Sequence, residues 1–329
     1  MTAAAGRAAA RPRAVFFGSP AFAVPCLRAV AAETELVAVV TQPDRPAGRG
    51  QAPTAPAVKR AAEALGVPGL PILQPEKIRT PETHAALAAL AADLFVVVAY
   101  GRILPQTLLD LPRLGPFNVH ASLLPKLRGA APIQWSIIRG ERETGVSIMR
   151  MEAGLDTGPV AAVRALEIAD DDTTGTLSVK LAELGAGLLV DTLPAIVNRT
   201  LTLERQDDAA ATLAPLLAKV DGIVNFDQPA RLVSAQARGV DPWPGATTTL
   251  GGESLKLFGP RVVEAASVEV SWGQRPAGLI CDVTADGLLV SCANDEQLIA
   301  FAEIQFPGKR RMPAALARDR LSPGTRLGS

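Results

Sequence analysis

The sequence predicts an α/β fold with a parallel sheet, followed by a smaller OB-like β-barrel domain. Residues 14–40 follow a strand–helix–strand pattern, and such a unit implies parallel strands. Residues 93–100 are almost continuously apolar, as expected for a central parallel strand that is covered on both faces. After Asp221, short β-like runs alternate with glycine turns, which is typical of a small barrel.

Changes in composition predict the domain boundaries. Residues 1–13 are rich in Ala and Arg and predict a disordered N-terminal extension, with a transit peptide as the alternative. Residues 14–200 form the predicted first domain. Residues 201–220 show no clear periodicity and predict a linker, and residues 221–329 form the predicted C-terminal domain.

The first predicted strand, residues 14–17, ends in the turn Gly18-Ser19-Pro20. A helix over 22–32 and a second strand over 35–40 follow it. This turn lacks the G-x-G-x-x-G pattern of dinucleotide-binding folds. The first element therefore argues against a nicotinamide-dependent dehydrogenase.

Residues 41–51 predict a long loop, because they contain two prolines, two glycines and two arginines. A loop at the carboxyl end of a strand is a common position for binding residues. Arg45 and Arg49 could there contact a phosphate-bearing substrate. The alternative is an ordinary solvated surface loop.

The remaining elements follow from apolar periodicity. One helix is predicted to begin at Lys59-Arg60, and an Ala-rich helix carries His84 on its surface. Further helices are predicted over 107–111, 132–139, 173–197 and 229–238, and strands over 70–73, 117–121, 144–151, 159–169, 247–250, 254–258, 261–265, 278–283, 287–292 and 297–302.

The composition excludes several classes of protein. Lys and Arg number 33, as do Asp and Glu, so the overall charge indicates neither nucleic acid nor a membrane as partner. The three cysteines have no metal-ligand spacing, and their odd number suits a reducing compartment. No apolar run reaches the roughly 18 residues of a membrane span. We expect a soluble, cytoplasmic protein without a metal.

Asn118 and His120 are the principal candidate site residues. If this segment is a strand, their side chains share one face at its carboxyl end, where open α/β sheets bind ligands. Asp156 follows a later strand, between Gly154 and Gly158, and could face them across a cleft. The alternatives are an incidental polar pair at a strand end and a turn-forming aspartate.

An amide, an imidazole and a carboxylate together suit acyl transfer between two nitrogens. Asn118 can donate to the oxyanion of a tetrahedral intermediate, and His120 can move a proton or stabilise that charge. Asp156 can orient the imidazole and help to take the proton of the attacking amine. The sequence has no G-x-S-x-G motif and no Cys beside a His, so we expect direct attack by the amine.

Eight sequence motifs resemble those of the methionyl-tRNA formyltransferase family, and they extend over nearly the whole chain. The motifs are residues 17–20 (Phe-Gly-Ser-Pro), 41–50 (Thr-Gln-Pro-Asp-Arg-Pro-Ala-Gly-Arg-Gly), 98–101 (Val-Ala-Tyr-Gly), 118–125 (Asn-Val-His-Ala-Ser-Leu-Leu-Pro), 128–133 (Arg-Gly-Ala-Ala-Pro-Ile), 143–146 (Glu-Thr-Gly-Val), 154–158 (Gly-Leu-Asp-Thr-Gly) and 241–244 (Asp-Pro-Trp-Pro). The Asn-x-His pair with a later Asp is shared by folate-dependent formyltransferases in general. The motifs at 41–50 and 241–244 are more specific to the tRNA enzymes.

The resemblance implies a Rossmann-like formyltransferase domain joined to an OB-like tRNA-binding domain. It implies formyl transfer from 10-formyltetrahydrofolate to methionyl-initiator tRNA, for translation initiation. We expect the protein to be a monomer. The implied catalytic residues are Asn118, His120 and Asp156. The folate would contact Ser122, Leu123, Leu124 and Pro125, and Arg45 and Arg49 would lie on the loop that engages the tRNA.

Two departures from the family pattern reduce the number of basic residues expected on the tRNA-binding surface. Gln51-Ala-Pro-Thr54 replaces the lysines that commonly follow the loop, and residues 208–329 carry 12 Lys and Arg against 13 Asp and Glu. Any tRNA surface there depends on segregated charge, such as Lys309, Arg310 and Arg311 with Arg318 and Arg320.

The same trio would serve a formyltransferase acting on a small amine, such as glycinamide ribonucleotide or an amino sugar, or a formylfolate hydrolase. A non-catalytic RNA-binding module is the alternative from another class.

Overall fold

The structure, a computed structural model, describes residues 11–47, 52–264, 276–293 and 296–328. The chain divides into two compact units. The first contains Met1–Ala130, Gly145–Leu166 and Val179–Leu213, and the second contains Ala131–Thr144, Glu167–Ser178 and Ala214–Ser329. The second unit therefore includes two segments that precede residue 200, whereas the predicted boundaries, which stay a prediction, are contiguous.

The central sheet belongs to the first unit and has seven strands. In chain order the strands up to residue 167 are β1 (Arg13–Gly18), β2 (Glu35–Val40), β3 (Arg45–Ala47), β4 (Ala52–Thr54), β5 (Ile72–Leu73), β6 (Leu94–Val98), β7 (Gly115–His120), β8 (Glu143–Arg150) and β9 (Val160–Glu167). The sheet order is β5-β2-β1-β6-β7-β8-β9, while β3 and β4 pair with each other. Within this sheet, strands β5, β2, β1, β6 and β7 run parallel to one another, and β8 runs antiparallel to β7.

Seven α-helices are described along the chain. They are α1 (Val24–Glu33), α2 (Ala57–Ala64), α3 (Pro81–Ala89), α4 (Gln106–Leu109), α5 (Pro132–Ile138), α6 (Thr174–Val197) and α7 (Ala230–Gly239). Within the described residues, no helix combines the length and the apolar character that a membrane span requires.

The strand order explains where a ligand would bind in the first unit. β1 pairs with β2 on one side and with β6 on the other, so the chain changes direction across the sheet between these strands. β1 and β6 are almost entirely buried, as their apolar sequences predict. In such sheets the carboxyl ends of the strands around this reversal form the ligand crevice, and β7, next to β6, ends there with His120.

The second unit contains an antiparallel sheet, as expected for a β-rich C-terminal domain. Its strands are β10 (Thr247–Leu250), β11 (Glu253–Glu264), β12 (Ile280–Thr284), β13 (Gly287–Ser291), β14 (Gln297–Gln305) and β15 (Met312–Pro313). They are ordered β10-β11-β14-β13-β12, with β15 on β14. The closure of this sheet into an OB-like barrel stays a prediction.

Two sequence-based element assignments were wrong. The two strands predicted over 254–258 and 261–265 are one strand, β11, up to Glu264, because Pro260, between them, still pairs with Phe301. Residue 265 lies outside the described residues. Part of the predicted 41–51 loop is strand, since β3 pairs antiparallel with β4. Their short, Pro-containing sequences, Arg-Pro-Ala and Ala-Pro-Thr, gave no strand signal.

Candidate active site

Asn118 and His120 lie on β7, whose six residues are all buried. As residues i and i+2 of one strand they share a face of the sheet. Asn118 is 9% exposed and His120 is 6% exposed. In the part of the chain that the structure describes, no residue forms a hydrogen bond with the Asn118 side chain. Its amide N–H groups are therefore available to an incoming acceptor.

The two ring nitrogens of His120 have different environments. Nε2 lies 3.0 Å from the carbonyl oxygen of Leu127. A carbonyl only accepts, so Nε2 carries a hydrogen and donates it. Nδ1 lies 3.7 Å from Oδ2 of Asp156. The backbone contact therefore selects the tautomer, and Nδ1 is the nitrogen that can exchange a proton near the carboxylate.

Asp156 is held by the loop that follows His120. The backbone N–H of Gly129 donates to Asp156 Oδ2 at 2.9 Å. Asp156 adopts a left-handed φ of 53°, a conformation that Asp tolerates better than most residues. At Gly158, a Cβ would lie 1.9 Å from the carbonyl oxygen of Arg150, so only glycine fits there. Close packing against the Arg150 carbonyl, in addition to turn formation, therefore explains the glycine two residues after Asp156.

Residues 122–125, which the resemblance implies as folate contacts, form a tight turn directly after β7. Ser122 Oγ donates to the carbonyl oxygen of Lys126 at 2.6 Å. Ser147 Oγ on β8 donates to the Ser122 carbonyl and accepts from the backbone N–H of Leu124. Ser122 and Leu124 are buried, while Leu123 and Pro125 are half-buried. Ser122 therefore stabilises the turn, whereas Leu123 and Pro125 are the residues whose exposed surface a ligand could contact.

Three residues that the sequence did not single out as site residues contact the loops around His120 and Asp156. Gln206 donates to the carbonyl oxygens of Asp156 and Gly158, Thr212 accepts from the backbone N–H of Leu127, and the guanidinium of Arg128 donates to Gln206. Gln206 and Thr212 lie in the aperiodic segment that predicted a linker. No one-dimensional pattern in that segment distinguishes them.

The residues implied in tRNA binding lie apart from the trio in the chain. Arg45 is exposed on β3, and Arg49 lies outside the described residues. A polar network holds the chain just before β3, because Gln42 donates to the Tyr100 carbonyl and accepts from Arg102. Asp44 accepts from Gln74 and Lys59, and these bonds lower the pKa of its carboxyl group.

The arginines near the C-terminus are paired with acids in the second unit. Arg311 donates to Glu303 and lies over the ring of Phe258, with its guanidinium carbon 4.2 Å from the ring centroid. Arg320 pairs with Glu253, and Arg318 with Asp282. Lys309 and Arg310 are exposed. The pairing leaves less basic surface than the sequence run alone suggests.

His84 has no relation to the trio. It is half-buried on α3 and lines an open pocket of about 400 Å³ that shares no residue with Asn118, His120 or Asp156. In the described residues, no group of three His, Cys, Asp or Glu side chains could hold a metal ion.

Comparisons with known proteins agree over nearly the whole chain. The family model described as formyl transferase matches residues 13–193, and the model described as formyl transferase, C-terminal domain, matches residues 216–319. The chain is 46% identical over 319 residues to a methionyl-tRNA formyltransferase of Geobacter sulfurreducens, covering 96% of each.

Solved structures share the fold at low sequence identity. An N-formyltransferase from Helicobacter canadensis, in complex with folinic acid and dTDP-3-aminofucose, superposes with a TM-score of 0.63 at 16% identity, covering 88% of this chain and 99% of that one. HypX from Aquifex aeolicus, in complex with tetrahydrofolic acid, has a TM-score of 0.60 at 16% identity. That match covers 94% of this chain and 47% of HypX. This likeness concerns the fold alone.

Proposed function

Since the chain belongs to the methionyl-tRNA formyltransferase family, we propose that Asn118, His120 and Asp156 are the residues that catalyse formyl transfer. The acceptor is the amino group of methionyl-initiator tRNA. One observation carries the proposal: the buried Asn118 amide, which has no hydrogen-bond partner among the described residues, shares a strand face with an imidazole whose Nδ1 lies 3.7 Å from a carboxylate.

The proposed reaction begins with attack of the methionyl amine on the formyl carbon. The formyl oxygen becomes an oxyanion, and an N–H of Asn118 donates to it, an interaction worth about 3 to 4 kcal/mol in comparable oxyanion sites. The attacking nitrogen releases a proton to the Asp156–His120 pair, where Nδ1 is the receiving nitrogen. Cleavage of the old carbon–nitrogen bond then expels the donor nitrogen, which takes up the proton that the Asp156–His120 pair received.

We propose 10-formyltetrahydrofolate as the formyl donor, held by the turn of Ser122, Leu123, Leu124 and Pro125, of which Leu123 and Pro125 present surface to the ligand. Support comes from the half-buried apolar surface of Leu123 and Pro125 beside His120. The Helicobacter canadensis and Aquifex aeolicus proteins of the same fold carry folinic acid and tetrahydrofolic acid.

For the tRNA, we propose contacts from Arg45 and Arg49 and from an OB-like barrel formed by the second unit. The exposure of Arg45, Lys309 and Arg310 supports this proposal, since phosphate contacts require accessible cations. We further propose that the enzyme acts as a cytoplasmic monomer.

Parallel acceptor assays test the function. The protein is incubated with 10-formyltetrahydrofolate and either methionyl-initiator tRNA or glycinamide ribonucleotide, and formylation of each acceptor is measured. We expect formylation of the tRNA alone. Transfer only to the small amine would overturn the acceptor assignment, and transfer to neither would overturn the proposed reaction.

A further inference from the structure

Residues 204–213, here called the bracing segment, contact both loops of the proposed active site. Glu204 exchanges two backbone hydrogen bonds with Val160, at 2.8 and 2.9 Å. The Thr212 carbonyl accepts from the backbone N–H of Arg128 at 2.8 Å, and Thr212 Oγ1 accepts from that of Leu127 at 2.9 Å. The bracing segment, which lies between the two matched family domains, is therefore bonded to the loop whose Leu127 carbonyl accepts from His120.

Gln206 is the member of the bracing segment that reaches the Asp156 loop. Its Nε2 donates to the carbonyl oxygen of Asp156 at 2.8 Å and to that of Gly158 at 2.7 Å. Its Oε1 accepts from Nε of Arg128 at 3.0 Å. The opposite orientation of the amide would face Oε1 towards two carbonyl oxygens and Nε2 towards a guanidinium, with no hydrogen bond possible at either end. The surroundings thus fix the orientation.

Arg128 binds the Oε1 atom of Gln206, at the end of the amide opposite its bonds to the Asp156 loop. Its residue is 7% exposed, and its Nη2 donates to Asp208 Oδ1 at 2.8 Å, while its Nε donates to Gln206. Two residues of the bracing segment therefore accept hydrogen bonds from a nearly buried guanidinium. Because Arg128 anchors the Gln206 side chain, Gln206 loses little conformational entropy when it bonds the loop that carries Asp156.

The Asp156 loop needs such support. Asp156 has a φ of 53°, and a non-glycine residue in the left-handed region, even an Asp, keeps that conformation only when its surroundings hold it. Gln206 bonds the carbonyl of Asp156 itself and that of Gly158, two residues on. With both carbonyls held, Oδ2 is aimed at the Gly129 N–H and at His120 Nδ1.

We propose that Gln206 is a positioning residue for Asp156 in the formyl-transfer reaction. This inference rests on the proposed roles of Asp156 and His120. Gln206 acts through the loop backbone and not on the substrate. Its loss lets Oδ2 move away from Nδ1, and small displacements of a catalytic group are known to lower rates strongly while substrate binding is preserved.

Two variants separate this role from a general effect on folding. Gln206→Met keeps the length of the side chain but removes all its hydrogen bonds, and Gln206→Glu keeps the acceptor for Arg128 but removes the donors to the loop. We expect each to lower kcat for tRNA formylation about 10-fold or more, with KM for folate and for tRNA changed less than about twofold. Gln106→Met is the matched control, because the Gln106 side chain donates to Asp110, at the end of α4, and both residues are exposed.

A double-mutant cycle provides the decisive test. In the Asp156→Asn background the charge that Gln206 aims is already lost, so Gln206→Met should lower kcat by less than about twofold further. An equal loss of kcat in both backgrounds, normal kcat in both single variants, or a change confined to KM would each overturn the proposal.

Amide hydrogen exchange tests the same proposal without activity. The Gly129 N–H, which bonds Asp156 Oδ2, should exchange about 10-fold faster or more in Gln206→Met and unchanged in Gln106→Met. Unchanged exchange in Gln206→Met would overturn the positioning role. Faster exchange in a protein whose wild type transfers no formyl group would instead overturn the proposed function and leave Gln206 as the residue that holds the loop.

Discussion

At the scale of single residues, the tautomer of His120 and the unpartnered amide of Asn118 define separate tasks. The Leu127 carbonyl occupies Nε2, so His120 has one nitrogen for proton exchange, and Asn118 has no competing partner for an oxyanion within the described residues. We expect His120→Ala and Asn118→Ala each to lower kcat at least about 100-fold in steady-state formylation assays.

His84→Ala is the control for these variants, because His84 lies on α3 and has no contact with the trio. It should retain kcat within about twofold. Near-normal turnover of Asn118→Ala or His120→Ala would refute the role assigned to that residue.

The sequence could predict some of these residues and not others, for physical reasons. Asn118 and His120 were visible because a two-residue spacing on a strand is a local property. The contact of Nε2 with Leu127 depends on a left-handed φ of 60° at Leu127, and the support of Asp156 by Gln206 spans 50 positions. Such contacts exist only once the chain has folded.

At the scale of elements, α6 supports the catalytic strand through a glycine. A Cβ at Gly185 would lie 3.0 Å from Cγ1 of Val119, which sits between Asn118 and His120 on β7. At Gly187 a Cβ would lie 3.5 Å from Nη1 of Arg164, an ordinary van der Waals contact with the end of a flexible side chain. The two positions lie on the same helix and differ in their neighbours.

We expect Gly187→Ala to raise the free energy of unfolding by about 0.5 to 1 kcal/mol, since Ala favours a helix interior over Gly. Gly185→Ala should gain less than Gly187→Ala or lose stability, because Val119 must give way. Urea unfolding followed by circular dichroism measures both. Equal stabilisation by the two substitutions would contradict close packing of α6 on β7.

The β3–β4 hairpin is the element that presents Arg45. Apolar periodicity does not detect such short paired segments, and the sequence predicted only a loop there. We expect Arg45→Ala to raise KM for tRNA, with KM for folate unchanged, because an exposed cation on a hairpin suits a phosphate contact. Arg28→Ala, which removes an exposed cation from α1, should change neither constant. An equal rise in both KM values for Arg45→Ala would contradict a specific tRNA contact.

At the scale of the whole molecule, the motifs predicted the family, but the sequence could not predict which segments make up each of the two units. The family motifs are local and therefore readable. The grouping of Ala131–Thr144 and Glu167–Ser178 with the C-terminal part depends on contacts between distant segments. Hydrogen bonds such as that from Thr174 Oγ1 to the Gly239 carbonyl, 65 positions away, make that grouping.

Cys26 and Cys292 make the stability of the molecule dependent on pH in the alkaline range. All three are buried thiols. Burial is the main cause that raises the pKa of Cys26, with a contribution from Glu183, from its ordinary value of 9.0 to about 12. Burial likewise raises the pKa of Cys292 to about 12. Between these values the unfolded chain loses the thiol proton while the folded chain keeps it, so stability decreases as the pH rises.

We expect Cys26→Ala to make this decrease shallower, because it removes one group that binds a proton only in the folded state in that range. The difference in slope should approach, at most, about 1.4 kcal/mol per pH unit. Urea-unfolding free energies at about pH 8 and about pH 10.5 measure it, and the comparison of slopes is insensitive to the small cavity that Ala leaves. Ser291→Ala removes a buried hydroxyl group that does not titrate and should leave the slope unchanged. Parallel curves for wild type and Cys26→Ala would mean that the Cys26 thiol ionises equally in both states, contrary to its burial at 0% exposure.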